Sequence, residues 1–239
     1  MDPKLKEFEE QIGINFSNKE LLRESLTHRS YLNENPSWDV PHNERLEFLG
    51  DAVLELAVTE NLFHSYPDYT EGDLTSIRAA LVNYQILSKI AGEIGMEDKI
   101  YLSKGEAKDS NRAKEVILAN AIEAVIGAIY LDQGYKITSD FIKKNVLHSV
   151  PQIIKTKSYK DPKSSLQEII QEKLKITPSY EVLSEEGPDH QKIFTVAVYF
   201  SKEFGGEGKG YSKQEAEVEA AKNALNKLDK LTANQTDNR

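Results

Sequence analysis

The sequence predicts a chain of two parts: an all-α domain, then a smaller α+β domain of α-β-β-β-α order. Three observations predict it. Apolar residues recur at helical spacing through most of residues 4–154. A polar stretch around Asp161-Pro162 then interrupts the pattern, and the β-type runs all lie C-terminal to that stretch. The expected boundaries are a helical domain over 1–154, a linker over 155–161, an α+β domain over 162–230 and a disordered tail over 231–239.

With 239 residues and 39% hydrophobic content, the chain can supply a core to each part. It has no cysteine, so disulfides, thiolate metal sites and a cysteine nucleophile are excluded, and a metal would be held by oxygen or imidazole. The opening MDPKLKEFEEQIG is charged throughout, and nowhere do eighteen apolar residues run together. A cytoplasmic protein with no membrane partner is expected. The formal net charge of -9 argues against a bare nucleic-acid surface. Its distribution softens this: residues 1–155 hold 17 basic against 25 acidic side chains, residues 156–239 hold 13 against 14. Clustered carboxylates that repel phosphate can attract it once divalent cations bind.

Residues 4–32 read as two short helices, the first built on Leu5, Phe8 and Ile12, the second capped by Ser17-Asn18-Lys19-Glu20 ahead of Leu21, Leu22 and Leu26. His28, in Thr27-His28-Arg29-Ser30-Tyr31, reads as a structural histidine. Asn33 to Pro41, with Pro36, Pro41 and the single Trp38, forms a loop. The helix at 42–64 carries Glu44, Glu47, Asp51 and Glu55, which at about 100° per residue share one stripe. Leu46, Leu49, Val53, Leu56 and Ala57 are assigned to the opposite, buried face. Such a stripe alone marks a solvated helix face, but Phe48 projects beside it, and an aromatic there implies contact with a partner or substrate.

A turn at 66–73 leads to helical spacing over 74–94, with Arg78 in its first turns. Residues 103–114 read as a loop or helix end. Glu115 to Leu131 is a strongly apolar helix buried through Leu118, Ile122, Val125 and Ile129, with Asn120, Glu123 and Gly127 on the other side. Gly127 would let a backbone or ligand come close. Phe141 to Ile154 reads as the last helix of this domain. In the second, Ser164 to Leu174 is a helix, 180–184, 193–200 and 204–210 are strands, and Ser212-Lys213-Gln214-Glu215 is a capping box opening an Ala-rich helix.

The run Asn43-Glu44-Arg45-Leu46-Glu47-Phe48-Leu49-Gly50-Asp51 resembles the signature of the ribonuclease III family. Glu71-Gly72-Asp73 and Ile117 to Ala124 support the match, and residues 161–229 resemble a double-stranded-RNA-binding domain, so the likeness covers nearly the whole chain. The resemblance implies an all-helical endonuclease domain over 1–154. It also implies a homodimer that cleaves double-stranded RNA to 5′-phosphate and 3′-hydroxyl ends, with ribosomal RNA precursors and other structured RNAs as substrates rather than small molecules. Carried over by motif, Glu47, Asp51, Asn120 and Glu123 surround Mg²⁺, with Mn²⁺ able to substitute. Asp51 and Glu123 are the catalytic pair, Glu44 and Glu71 supporting groups, and Phe48 the dimer contact. In the second domain the resemblance assigns RNA contacts to Gln167, His190, Ser212 and Lys213.

The chemistry is consistent with those residue types. Phosphodiester hydrolysis needs a water nucleophile and neutralisation of developing charge on the reacting phosphate and leaving oxygen, and divalent metal serves these needs. Mg²⁺ takes oxygen ligands and keeps several waters. Position 120 departs from the family's usual Asp, so the site offers three carboxylates and a neutral amide. Two readings are open: an enzyme with weakened metal affinity, or a catalytically inactive protein that only binds double-stranded RNA. A purely structural helical dimer would leave the acidic stripe and the second domain without a role. The last helix also carries Glu215 and Glu217 beside Lys213, which implies modest, salt-sensitive RNA affinity.

Overall fold

The computed structural model describes residues 2–106, 110–188 and 192–236, with side chains through Leu228. It divides into two compact units between Tyr159 and Lys160. In the first, α1 (Pro3–Ile12) opens on Asp2, which accepts from the Lys4 N–H at 3.0 Å, and closes on Gly13 in the left-handed conformation. Asn18 caps α2 (Lys19–Ser25). A third helix, α3 (Arg29–Glu34), stands where two were expected in all. The reason is His28, whose ring nitrogen accepts from the Ser30 N–H at 3.3 Å and so starts a new helix. Burial depresses the pKa of this imidazole, which favours the neutral acceptor form.

The acidic helix is α4 (Glu44–Ser65). The spacing over 74–94, read as one helix, is two: α5 (Glu71–Leu81) and α6 (Tyr84–Glu93). Asn83 separates them, accepting from the Ile86 N–H at 3.0 Å while its amide donates to the Ala80 carbonyl at 3.0 Å. A cap residue thus overrides an unbroken apolar rhythm. Helix α7 (Asn111–Asn145) is bent at Gly134, where φ is 77°. The expected last helix is the end of α7, one 3₁₀ turn at Leu147–Ser149, and a separate α8 (Val150–Thr156).

The core of this unit is α7. Residues from Leu118 to Ile129 are buried on nearly every side, with Asn120 and Glu123 half-buried. Gly127 therefore belongs to the packed surface, and the backbone of α4 comes to it. A Cβ on Gly127 would lie 2.3 Å from the Leu46 carbonyl oxygen, and one on Gly50 would lie 1.8 Å from the Glu123 carbonyl oxygen. The two helices touch backbone to backbone. The assignment of Leu56 to the buried face of α4 is corrected: Leu56 is exposed, and Leu54 and Val58 are buried in its stead. The contact face winds around α4 because the helix period is about 3.6 residues and the neighbours change along its length.

In the second unit, α9 (Pro162–Leu174) is capped by Asp161, and β1 (Ser179–Glu186), β2 (Ile193–Phe200) and β3 (Glu203–Gly210) form an antiparallel sheet in that order. Val182 pairs with Val196, and a bulge follows at Leu183. Helix α10 (Lys213–Thr236) packs its alanines on β3, where a Cβ on Gly208 would lie 2.2 Å from the Ala220 nitrogen. Ser212 caps α10 by accepting from the Glu215 N–H at 3.1 Å, while Glu215 reaches back to the Tyr211 N–H at 2.9 Å. Leu166, Ile170, Val198, Ala220, Ala221 and Ala224 make the core. Helices α8 and α9 bound the expected 155–161 linker region, α8 taking its first residues and leaving 157–161 between them, and α10 runs into the stretch read as a disordered tail.

The backbone contact makes Gly50 intolerant of a side chain. Gly50→Ala should lower the unfolding free energy by about 2 kcal/mol or more, although alanine favours helix, because overpacking outweighs propensity. Urea denaturation of the two proteins measures it, and equal midpoints would show that the helices can part at no cost.

Candidate active site

The crossing of α4 and α7 sets the positions of the acidic groups. Glu47 and Asp51 bracket Gly50 on α4, while Asn120 and Glu123 precede Gly127 on α7. With the backbones in contact at Gly50–Glu123 and Gly127–Leu46, the side chains of Glu47, Asp51 and Glu123, and of Asn120 a turn before Glu123, reach the same space. Their electrostatics reflect the proximity. The pKa of Glu47 is raised by burial and by the charges of Glu44 and Asp51, against a hydrogen bond from the Asn120 amide. Glu123 is pushed up to about 7 by burial, then by Asp51 and Glu47. Asp51 itself is exposed at the mouth of the cluster.

The structure thus brings Glu47, Asp51, Asn120 and Glu123 together. Glu44 flanks them, 3.6 Å from Arg29 and 3.8 Å from His42. Glu71 is not in this group. It sits in the first turn of α5, accepting from the Thr75 hydroxyl at 3.2 Å, beside a groove with Thr59, Phe63 and Arg78. Thr59 lies twelve residues beyond Glu47, about 18 Å along the helix axis, so within one chain Glu71 faces a different part of α4.

As a donor set, three carboxylates and an amide favour a hard divalent cation. Among the described residues, no three acidic or imidazole side chains are already gathered closely enough to grip an ion. The mutual repulsion that raises both glutamates is what a bound cation would relieve, so the residues fit such a group by their chemistry.

Phe48 is 82% exposed. The hollow beside it is lined by Leu21, His42, Leu46, Leu49 and Leu131. Leu131, in the same hollow, is exposed, and so are Leu56 and Phe63 elsewhere on this unit. The helical-wheel reading misses Leu56 by burying it and takes Leu131 only as a helix end. It also gives no role to Gly50, although a glycine inside so strong a helix signals a close approach. In the second unit, Gln167 is exposed on α9, Ser212 is the α10 cap, and Lys213 stands in the first turn of α10. His190 lies outside the described residues.

A helical unit with a carboxylate cluster, joined to an α-β-β-β-α unit, defines the class: a nuclease-type domain followed by an RNA-binding module. The family profile described as ribonuclease-III-like matches residues 18–150, and the double-stranded RNA binding motif matches residues 162–228. The chain is 44% identical to ribonuclease 3 of Borreliella afzelii over 95% of this chain and 92% of that protein. It is 42% identical to ribonuclease 3 of Clostridium perfringens over 96% of each. Among solved structures it resembles the nuclease domain of ribonuclease III from Campylobacter jejuni, with a TM-score of 0.52 and 41% identity over 60% of this chain and 96% of that one. The chain belongs to the ribonuclease III family and is an enzyme of that family.

The raised pKa of Glu123 has a thermodynamic consequence for the metal-free protein. A carboxyl whose folded pKa exceeds its unfolded value stabilises the fold below the unfolded pKa, and that contribution is lost as pH rises through the folded value, here about 7. Glu123→Gln, which carries no charge to bury, should therefore be more stable than wild type at pH 8. Allowing for partial solvent screening, the gain should be of order 1–2 kcal/mol, disappearing by about pH 4, near the unfolded carboxyl range. Thermal unfolding in chelator at the two pH values checks the sign.

Proposed function

We propose that this enzyme is a divalent-cation-dependent endoribonuclease that cleaves double-stranded RNA, leaving 5′-phosphate and 3′-hydroxyl ends, and that it processes ribosomal RNA precursors and other structured RNAs in the cytoplasm. The single observation that carries the reading is the grouping of Glu47, Asp51, Asn120 and Glu123 across the α4–α7 contact. Glu47, Asn120 and Glu123 would hold Mg²⁺ or Mn²⁺, with Asp51 as a further ligand or as the group orienting water. Bound there, the cation supplies a water of lowered pKa and neutralises charge on the reacting phosphate.

The chain's own groups have separable tasks. Asp51, exposed at the mouth of the cluster, is placed to accept a proton from water entering from solvent. Glu123, half-buried and repelled by Asp51 and Glu47, would contribute its negative charge to the cation, which would offset that repulsion. Glu44, anchored toward Arg29, adds negative charge against Glu47 and favours cation capture. The second unit would grip the duplex through Gln167 on α9, His190 between β1 and β2, and Ser212 and Lys213 at the start of α10, reading A-form shape across successive minor grooves.

A homodimer is proposed from the exposed Phe48 and its neighbouring hollow, an arrangement one copy cannot satisfy alone. The Campylobacter jejuni structure describes a region involved in dimer formation in that protein's nuclease domain, which supports the reading.

Incubation of purified protein with a long RNA duplex tests the proposal: cleavage with Mg²⁺ and none in chelator is expected. Intact duplex at high enzyme and metal, with binding retained, favours the alternative of an RNA-binding protein disabled by Asn120. Asp51→Ala and Glu123→Ala should each abolish cleavage while sparing duplex binding in Ca²⁺, and wild-type cutting by either would refute its assignment.

Position 120 gives a quantitative prediction. Asn120→Asp adds a fourth carboxylate and should lower the Mg²⁺ concentration for half-maximal rate by roughly tenfold, the effect of about 1.4 kcal/mol in binding. A titration showing no change would remove residue 120 from the ligand set.

A further inference from the structure

Within the second unit, two lysines on the helices assigned to RNA already have carboxylate partners. Lys163, in the first turn of α9, is 2.6 Å from Glu217 of α10. Lys213, in the first turn of α10, is 3.0 Å from one carboxylate oxygen of Glu185, near the end of β1, and its ammonium also lies 5.6 Å above the Phe194 ring. Phe194 is the residue that pairs with Glu185 across β1 and β2, so strand register itself sets the carboxylate and the ring as one seat for Lys213. The second oxygen of Glu185 is 3.5 Å from Lys192, at the start of β2. One carboxylate therefore bridges cations from both sides: the β2 end of the β1–β2 connection and the N-terminus of α10. Lys213 keeps Glu185 ionised by holding its carboxyl below the usual range.

A carboxylate with two oxygens on two ammonium groups offers those lysines the kind of contact a phosphate would. We propose that Glu185 is an internal competitor for the RNA backbone, a residue that sets duplex affinity by requiring phosphate to displace it from Lys213 and Lys192. The proposal rests on the reading of this unit as the RNA-binding module. It has two physical consequences. The exchange replaces one charge-assisted contact by another, so the net gain from Lys213 is smaller than that of a free lysine. The displaced carboxylate also gathers cations from solution as the duplex sheds them, so binding depends less steeply on salt than the number of phosphate contacts would imply.

The exchange selects for length. A duplex that spans all the contact regions supplies other contacts that offset displacement of Glu185, whereas a short duplex or a single strand gains little at Lys213 and leaves the pair closed. Glu185 thereby acts against weak, partial engagement, a specificity obtained by lowering affinity for everything.

The test measures duplex binding by full-length protein in chelator, which prevents cleavage, across a salt series. Glu185→Gln keeps the side-chain shape and removes the competing charge. It should tighten binding roughly two- to fivefold, the range of one exposed ion pair, and steepen the slope of log affinity on log salt by up to about one unit. A short duplex should gain proportionally more than a long one. Lys213→Gln should weaken binding, and adding Glu185→Gln to it should restore less than the single change gains in wild type. A purely structural role for Glu185 would leave the salt slope unmoved. Unchanged or weakened binding by Glu185→Gln overturns the proposal while leaving the RNA-binding reading intact. Failure of the wild-type protein to bind any duplex removes that reading, and this inference with it.

Discussion

Everything that identifies this protein's chemistry depends on the distance between two helix backbones. Gly50 and Gly127 lie where α4 and α7 cross, and a methyl group on either would overlap a carbonyl oxygen of the other helix. Ordinary helix pairs stand about 8–10 Å apart, held off by side chains. Here the glycines remove the spacers, and residues within two turns of them face a common space. Glu47 and Asp51 come from one helix, Asn120 and Glu123 from the other. The glycines cost helix propensity, roughly 1 kcal/mol each relative to alanine, and the dense packing of α7 on every side offsets that cost.

The same closeness makes the site unstable in its own charge. Burial and like charge raise Glu47 and Glu123 together, and the Asn120 amide relieves only part of it. Asn120 acquires a physical rationale from this. An aspartate there would add a fourth negative charge beside Glu47 and would lose the amide donor, raising the repulsion in the metal-free state. On the proposed function, the neutral residue would trade cation affinity for stability of the empty cluster. On the proposed function, the balance between those two quantities at position 120 decides how much metal the enzyme needs.

Much of this is legible in the sequence. The acidic stripe, the polar pair on α7 and a break over 155–161 come from helical period and composition, and the α-β-β-β-α order of the second unit comes from its β-type runs and capping box. The features that escape do so for physical causes. Asn83 and His28 cap helices inside stretches whose apolar rhythm does not pause, so one expected helix is two and two are three. Leu56 falls on the core side of a wheel drawn at fixed angle, which cannot follow a contact face that winds along a long helix. Glu71 joins the site by motif, yet lies some turns away in the chain. A short pattern preserves which residues occur together, not how far apart a single chain holds them.

The charge distribution follows the same logic in both units. In the first unit Glu47, Asp51 and Glu123 meet where two backbones touch, and on the proposed function they repel phosphate until a cation intervenes. In the second unit, Lys163 and Lys213 are each held by a carboxylate of the same unit, so these two basic groups are engaged before any duplex arrives. A net charge of -9 is then no obstacle to an RNA substrate. Long-range attraction is weak by construction, and recognition has to come from contacts made at short range, where a carboxylate gives way to phosphate and several regions engage at once. Two such units in a dimer would add their modest affinities as effective concentration rather than as charge. That favours long duplexes over any polyanion that offers charge alone.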